Sequence, residues 1–260
     1  MAVGLVTVEQ YADAFRKRVR ASAVPGQETV DQPGIVALLG TTPEALDGRV
    51  LVTDDRAIDV LGALVPRLFA RVVTVLSAAE RCRRLMSAQS GYRHESSTAM
   101  VCDDLAAVPR LALCDGLTLR PISPQDPPDP GTVSLEDAAA AAMRSDPGAA
   151  PAGSLGDFVR YLRSVPRTRF VAAVDDDGVV RATAAAACWG DTAGVFFVDT
   201  DHEWRRRGVG AAMTAAALRE AARLGARSAS LSSSPLGLSI YRRLGFRAVG
   251  EQSVFVRTSG

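Results

Sequence analysis

The sequence predicts an α+β protein in which a mixed central sheet is flanked by helices, in two domains of residues 1–115 and 116–260. Three observations predict it. The second half alternates strand-like and helix-like runs in the order β-α-α-β-β-β-α-β-α-β. The first half carries a partial echo, β-α-β-α-β. The chain has 260 residues, which at ~150 residues per domain is one large or two small domains.

A leading amphipathic helix opens the chain, with a possible capping box at Thr7 to Gln10 and the charged residues Glu9, Asp13, Arg16, Lys17, Arg18 and Arg20. This is not the pattern of a signal peptide. Residues 49–53 read as a strand, 55–69 as a helix, 71–76 as a strand, 78–87 as a helix and 97–101 as a strand. Gly91-Tyr92 then stands before the last of these strands as Gly245-Phe246 stands before the last strand of the chain. The echo reads as a degenerate internal duplication, although β-α-β units are common in any α/β chain.

The second domain starts with the strand-like alternation of residues 117–120. Five prolines follow in the ten residues from Pro121 to Pro130, and this stretch is expected to carry no regular element. Ser134 and Asp137 sit like a cap and an acidic first turn ahead of an alanine-rich helix to Arg144. A short helix is expected over 154–162, and a hairpin of strands 169–174 and 179–187 about the turn Asp175 to Gly178. Next come a buried-looking strand over 194–200, a long helix ending near Gly225, a strand over 228–232, a short helix over 236–244 and a last strand over 248–256.

Composition narrows the function. Thirty basic and 29 acidic residues leave a net charge of +1, so no large basic excess points to nucleic acid. Lys17 is the only lysine, and with the abundant alanine this reads as a codon signature. Cys82, Cys102, Cys114 and Cys188 form no C-x-x-C pair, and only His94 and His202 are available beside them, so no metal site is expected. The low cysteine content fits a reducing cytoplasmic setting, and no segment has the ~20 apolar residues of a membrane span.

The chemistry concentrates in Arg205-Arg206-Arg207-Gly208-Val209-Gly210, between a strand and a helix. Unpaired N–H groups at a helix start and the positive helix end suit a diphosphate, and arginines add charge-assisted bonds. A solvated basic helix start is the bland alternative. The motif is not a Walker A loop, which needs a G-K-S/T ending, nor the dinucleotide fingerprint, since Met213 stands at the third glycine.

This R-x-x-G-x-G, its Ala/Leu helix, the following strand and Tyr241-Arg242-Arg243-Leu244-Gly245-Phe246 resemble the GNAT superfamily of N-acetyltransferases over about residues 117–257. The resemblance implies a GNAT fold in the C-terminal half and a partial GNAT-like repeat, lacking the motif, in the N-terminal half. It implies acetyl-CoA as cosubstrate, with its diphosphate on Arg205, Arg206, Arg207, Gly208, Val209, Gly210 and Ala211. Val198 and Thr200, on a strand that splays from its neighbour in this family, would pair with the pantetheine arm. Ser234 stands where the family often has Asn, and Gly237 where Ala is usual. Ser232, Ser233 and Ser234 are candidates for CoA or substrate contact, or simply serines ending a strand. Tyr241 matches the family's general acid. The base is open: Asp199 is the nearest carboxylate to the catalytic strand, Glu203 and His202 are next, and many members use water. Cys188 has no histidine near it in sequence and reads as packing, so direct amine attack is expected.

The expected function is acetyl-CoA-dependent transfer of an acetyl group to a primary amine of a small molecule. The alternatives are transfer of another acyl group from CoA, or a non-catalytic CoA-binding interaction protein, against which the retained motif and Tyr241 argue. The expected partner is the amine substrate, with no nucleic acid and no membrane. A monomer with an intrachain pseudo-dimer, or a homodimer, is expected.

Overall fold

The computed structural model describes residues 2–24, 27–40, 48–68, 72–145 and 154–257, with the side chains of residues 2–7 outside the described set. In chain order the elements are α1 (Ala2–Ser22), β1 (Thr29–Gln32), β2 (Ile35–Leu38), β3 (Arg49–Val52), α2 (Ile58–Leu64), β4 (Val72–Leu76), α3 (Glu80–Ser87) and β5 (Tyr92–Cys102). They continue with β6 (Leu117–Ser123), β7 (Val133–Ser134), α4 (Leu135–Ser145), α5 (Leu155–Ser164), β8 (Thr168–Asp175), β9 (Val180–Trp189) and β10 (Thr192–Thr200). The last four are α6 (Val209–Arg223), β11 (Ser228–Ser233), α7 (Leu238–Arg243) and β12 (Arg247–Arg257). The α+β mixed-sheet class expected from the sequence is the class observed.

The chain divides into two compact units. The first holds Met1–Val101, Ser232–Leu238 and Arg247–Gly260, and the second holds Cys102–Leu231 and Ser239–Phe246. The units do not follow the chain, because β12 pairs antiparallel with both β4 and β5. The first unit's strands run in the order β1-β2-β3-β4-β12-β5. Its core joins Val50 and Val52 of β3, Val73 and Val75 of β4, Leu61 of α2, Met86 of α3 and Phe255 of β12.

The β1–β2 hairpin was not foreseen, although Pro33-Gly34 between Val30 and Ile35 is a turn signal. Helix α1 begins at Ala2, ahead of the capping box expected at Thr7, whose side chain lies outside the described residues. The helix expected over 55–69 is broken: a 3-10 turn at Asp55–Ala57, then α2, then a second 3-10 turn at Val65–Arg67. Pro66 has no N–H for an α-helical bond, which ends α2 at Leu64. Residues 69–71 of the expected helix and strand lie outside the described residues.

In the second unit the strands run β11-β10-β9-β8-β6-β7. Ser134 Oγ accepts the Asp137 N–H at 3.0 Å, so the cap ahead of α4 forms as expected. Ser154 and Asp157 close a full capping box on α5. The β8–β9 hairpin closes through Asp175 N to Val179 O at 3.0 Å, and the Asp175 carboxylate accepts the Val179 N–H at 2.8 Å. One expectation is corrected: β6 continues through Pro121 and Ile122 to Ser123, so the proline stretch does contain regular structure. β7 joins the far side of β6 only from Ile122, so a residue without an N–H fits in the strand just before it.

Alanine builds this unit's core. Ala182 and Ala184 to Ala187 of β9, and Ala211, Ala212, Ala215, Ala216, Ala217 and Ala221 of α6, are all buried. Small side chains let α6 approach the sheet closely. Bulkier groups come from Leu135, Phe158, Leu162 and Phe170 on the α4–α5 side.

Candidate active site

The site begins where β10 leaves β11. The two strands pair in parallel only at Thr192, Ala193 and Gly194, facing Ser228, Ala229 and Ser230. Gly194 ends this pairing under the buried Trp189 ring, where a Cβ would come within 2.4 Å of Cζ3. Beyond it β10 keeps β9 as its antiparallel partner, with a register shift between Phe196 and Asp199. Phe197 has a left-handed φ of +57°, and its carbonyl accepts the Thr183 hydroxyl at 3.0 Å. The ring of Phe197 packs edge-on against Phe158 at 5.6 Å. The β11-facing edge of Val198, Asp199 and Thr200 is therefore outside the parallel ladder, and its amides can serve an extended ligand.

The turn after β10 is anchored before it reaches the glycines. Arg181 pairs with Asp175 at 2.7 Å and with Asp201 at 3.0 Å. The Asp201 N–H also donates to Arg181 O at 2.7 Å, and the Asp201 carboxylate accepts the Glu203 N–H. Arg205 then braces the loop: its Nε donates to Thr200 O at 2.9 Å and its Nη2 to Ser145 O at 3.2 Å. Arg206 sits at φ +62°. Gly208 has φ +80° and ψ −2° as the N-cap of α6, and nothing lies within 4 Å of the place its Cβ would take. Backbone conformation, not crowding, thus requires glycine there.

The first bond of α6 runs from Ala212 N to Gly208 O at 3.0 Å. The N–H groups of Val209, Gly210 and Ala211 precede it and have no acceptor among the described residues. Gly210 brings the helix start close to β10 and to α7: a Cβ there would lie 3.6 Å from Thr200 Oγ1 and 3.8 Å from Ile240 Cδ1. Three donors at a positive helix end, with exposed Arg206 and Arg207 beside them, can hold a diphosphate.

Tyr241 lies on α7, one residue past Ile240. Its ring meets Phe246 edge-on at 5.9 Å, and its carbonyl accepts the N–H groups of Leu244 and Phe246. The hydroxyl has no hydrogen-bond partner among the described residues. Burial pushes the phenol up to about 12. Asp199 accepts the hydroxyl of Ser145, at the end of α4. The structure thus brings Thr200, Arg205, Gly210 and α7 to one place in the second unit.

Ser234 falls with Ser232–Leu238 in the first unit, where its carbonyl accepts Ser233 Oγ and Gly237 N. Ser232 has a structural partner, its Oγ lying 2.6 Å from Gln252 Nε2. Cys188 is buried, and burial raises its thiol. Sequence reasoning missed Ser145, since nothing in the end of an alanine-rich helix announces a contact with a strand 54 positions away.

Residues 166–248 match the family model described as an Acetyltransferase (GNAT) domain. Solved structures extend the likeness to the whole chain. A GCN5-related N-acetyltransferase from Kribbella flavida aligns with a TM-score of 0.62 at 22% identity, over 98% of this chain and 96% of that one. One from Sphaerobacter thermophilus aligns with a TM-score of 0.58 at 17% identity, over 94% and 92%. A tandem GNAT protein from the clavulanic acid biosynthesis pathway aligns with a TM-score of 0.53 at 14% identity, over 96% and 94%. At these identities the likeness is one of fold. No curated protein matches the chain. No helix among the described residues is long and apolar enough to cross a membrane.

The first unit repeats part of the order in its β3-α2-β4-α3-β5 run, but its equivalent of the site is closed. β3 and β4 pair in parallel from Arg49–Val72 to Val52–Val75 without separating. Carboxylates fill the helix starts: Asp54 accepts the Arg56 N–H at 3.0 Å, and Asp55 accepts the N–H groups of Arg81 at 3.1 Å and Cys82 at 3.0 Å. Fixed negative charge there disfavours a phosphate.

Proposed function

We propose that the chain is an acetyl-CoA-dependent N-acetyltransferase that acetylates a primary amine of a small molecule by direct attack. One observation carries the reading: β10 separates from β11 immediately before a loop that presents free helix N–H groups. Val198 and Thr200 would hold the pantetheine arm through the exposed edge of β10. Gly208 to Ala211, with Arg206 and Arg207, would hold the diphosphate, and Arg205 keeps that loop against Thr200.

When bound, acetyl-CoA supplies an activated acetyl thioester. The amine nitrogen forms the C–N bond and the C–S bond breaks. Asp199, oriented by Ser145, takes the proton the amine loses, directly or through water. Tyr241 gives its proton to the departing sulfur. The balanced net charge of +1 fits a small acceptor, with no basic excess for nucleic acid.

The test is thiol release from acetyl-CoA over a panel of primary amines, paired with calorimetry of acetyl-CoA binding. One site per chain is expected, because the first unit's site is closed by Asp54 and Asp55. Two equivalent sites, or no binding of any CoA ester, would overturn this reading. Faster turnover with a longer acyl-CoA than with acetyl-CoA would replace acetyl by that group.

A further inference from the structure

We propose that Trp204 and Arg207 form a stacking platform for the adenine of the CoA cosubstrate, an inference that rests on the acyl-CoA reading above. The Arg207 guanidinium lies over the Trp204 ring, 4.9 Å from its centroid. Arg207 is exposed and has no ion-pair partner among the described residues. Its charge is thus not spent on a carboxylate of the chain.

The indole and its backbone are both positioned within the unit. Its far edge lies against Gly116, where a Cβ would come within 3.4 Å of Cη2. The backbone N–H of Trp204 donates to Asp201 O at 2.9 Å, and Asp201 is itself fixed to Arg181 at 3.0 Å. The three consecutive arginines accordingly divide the work. Arg205 ties two backbone carbonyls, Arg206 turns the chain at φ +62°, and Arg207 lies over an aromatic ring.

The exposed Arg207 guanidinium is a planar cation beside an aromatic ring, and planar cations stack on nucleobases as they do on aromatic rings. The platform also has the right address. Arg207 directly precedes Gly208, at the start of the N–H groups that would take the diphosphate, and the adenine of CoA is one ribose beyond that diphosphate.

The experiment measures affinity of the full chain for CoA, 3′-dephospho-CoA and 4′-phosphopantetheine, in wild type, Trp204→Leu, Trp204→Phe and Arg207→Lys. Stacking predicts that Trp204→Leu weakens CoA and dephospho-CoA alike, by roughly five-fold or more, and leaves 4′-phosphopantetheine unchanged. Trp204→Phe should retain much of the affinity. Arg207→Lys keeps the charge but loses the flat face, and should lose adenine-dependent affinity as well. Equal weakening of all three probes would make Trp204 a prop for the loop and overturn the proposal. So would a loss seen with CoA but not with dephospho-CoA, which assigns the contact to the 3′-phosphate, or no loss with any probe. If wild type binds 4′-phosphopantetheine and CoA equally well, the platform is wrong while the acyl-CoA reading stands. If wild type binds none of the three, both fall.

Discussion

Tyr241 keeps its proton through the neutral and mildly alkaline range, because burial raises the phenol to about 12. In the proposed reaction the leaving thiol has an ordinary value near ~8.5, so full transfer to sulfur would be uphill and the proton would be shared mainly in the transition state. The expected contribution therefore lies at the lower end of general-acid effects. Tyr241→Phe should lower kcat by roughly 10²-fold with acetyl-CoA affinity nearly unchanged, and the packing on Phe246 should survive. Steady-state rates between pH 7 and 10 check this, and the tyrosine should contribute no alkaline limb in that interval. An unchanged kcat makes Tyr241 a packing residue.

At the scale of elements, two strand–turn–helix junctions use opposite chemistry. After β10 an αL glycine leaves helix donors open, and after β3 carboxylates close them. The second arrangement makes the first unit sensitive to acid. Arg56 holds the Asp54 carboxyl down to about 2, and Arg83 and Arg84 hold Glu80 at about 2. Burial works against Asp55, but the N–H groups of Cys82 and Arg81 outweigh it and lower its carboxyl too. The folded state thus binds these protons less readily than the unfolded chain. Their stabilisation is complete above the ordinary carboxylate range and is lost as pH falls from ~4.5 toward ~2. Asp54→Asn should lower the urea midpoint at pH 7, with the difference from wild type shrinking near pH 2. A difference that stays constant with pH would show that the ion pair is not the cause.

For the whole molecule, the last strand binds the chain's end to its beginning. β12 is C-terminal in sequence, yet it pairs from Gln252–Leu76 to Val256–Val72 with β4 and buries Phe255 among β3, β4 and α3. Burying that ring contributes about 1.5–3 kcal/mol. A chain starting at residue 113 keeps the complete R-x-x-G-x-G motif but leaves β12 without β4 and β5. It should be markedly less soluble than the full chain and melt lower. Equal solubility and thermal stability would show that β12 does not need those partners.

The local chemistry was written in the sequence. Capping pairs such as Ser134 with Asp137, the Asp175 turn, and the Gly208 cap of α6 depend on residues within a few positions of one another, where side-chain type and spacing decide the backbone. So the α+β order, the GNAT resemblance and the glycine-capped start of α6 were legible from residues alone. Tertiary structure decided the rest. The opening of β10 from β11 after Gly194 depends on a register set by two strands and on Trp189 lying over the glycine. The pairing of Asp199 with Ser145, the brace of Arg205 on two carbonyls, and the stacking of Arg207 on Trp204 need chain segments to meet in space. The placement of β12 beside β4 and β5 follows from which apolar faces bury together, and strand pairing across more than 150 residues leaves no periodic trace in either segment.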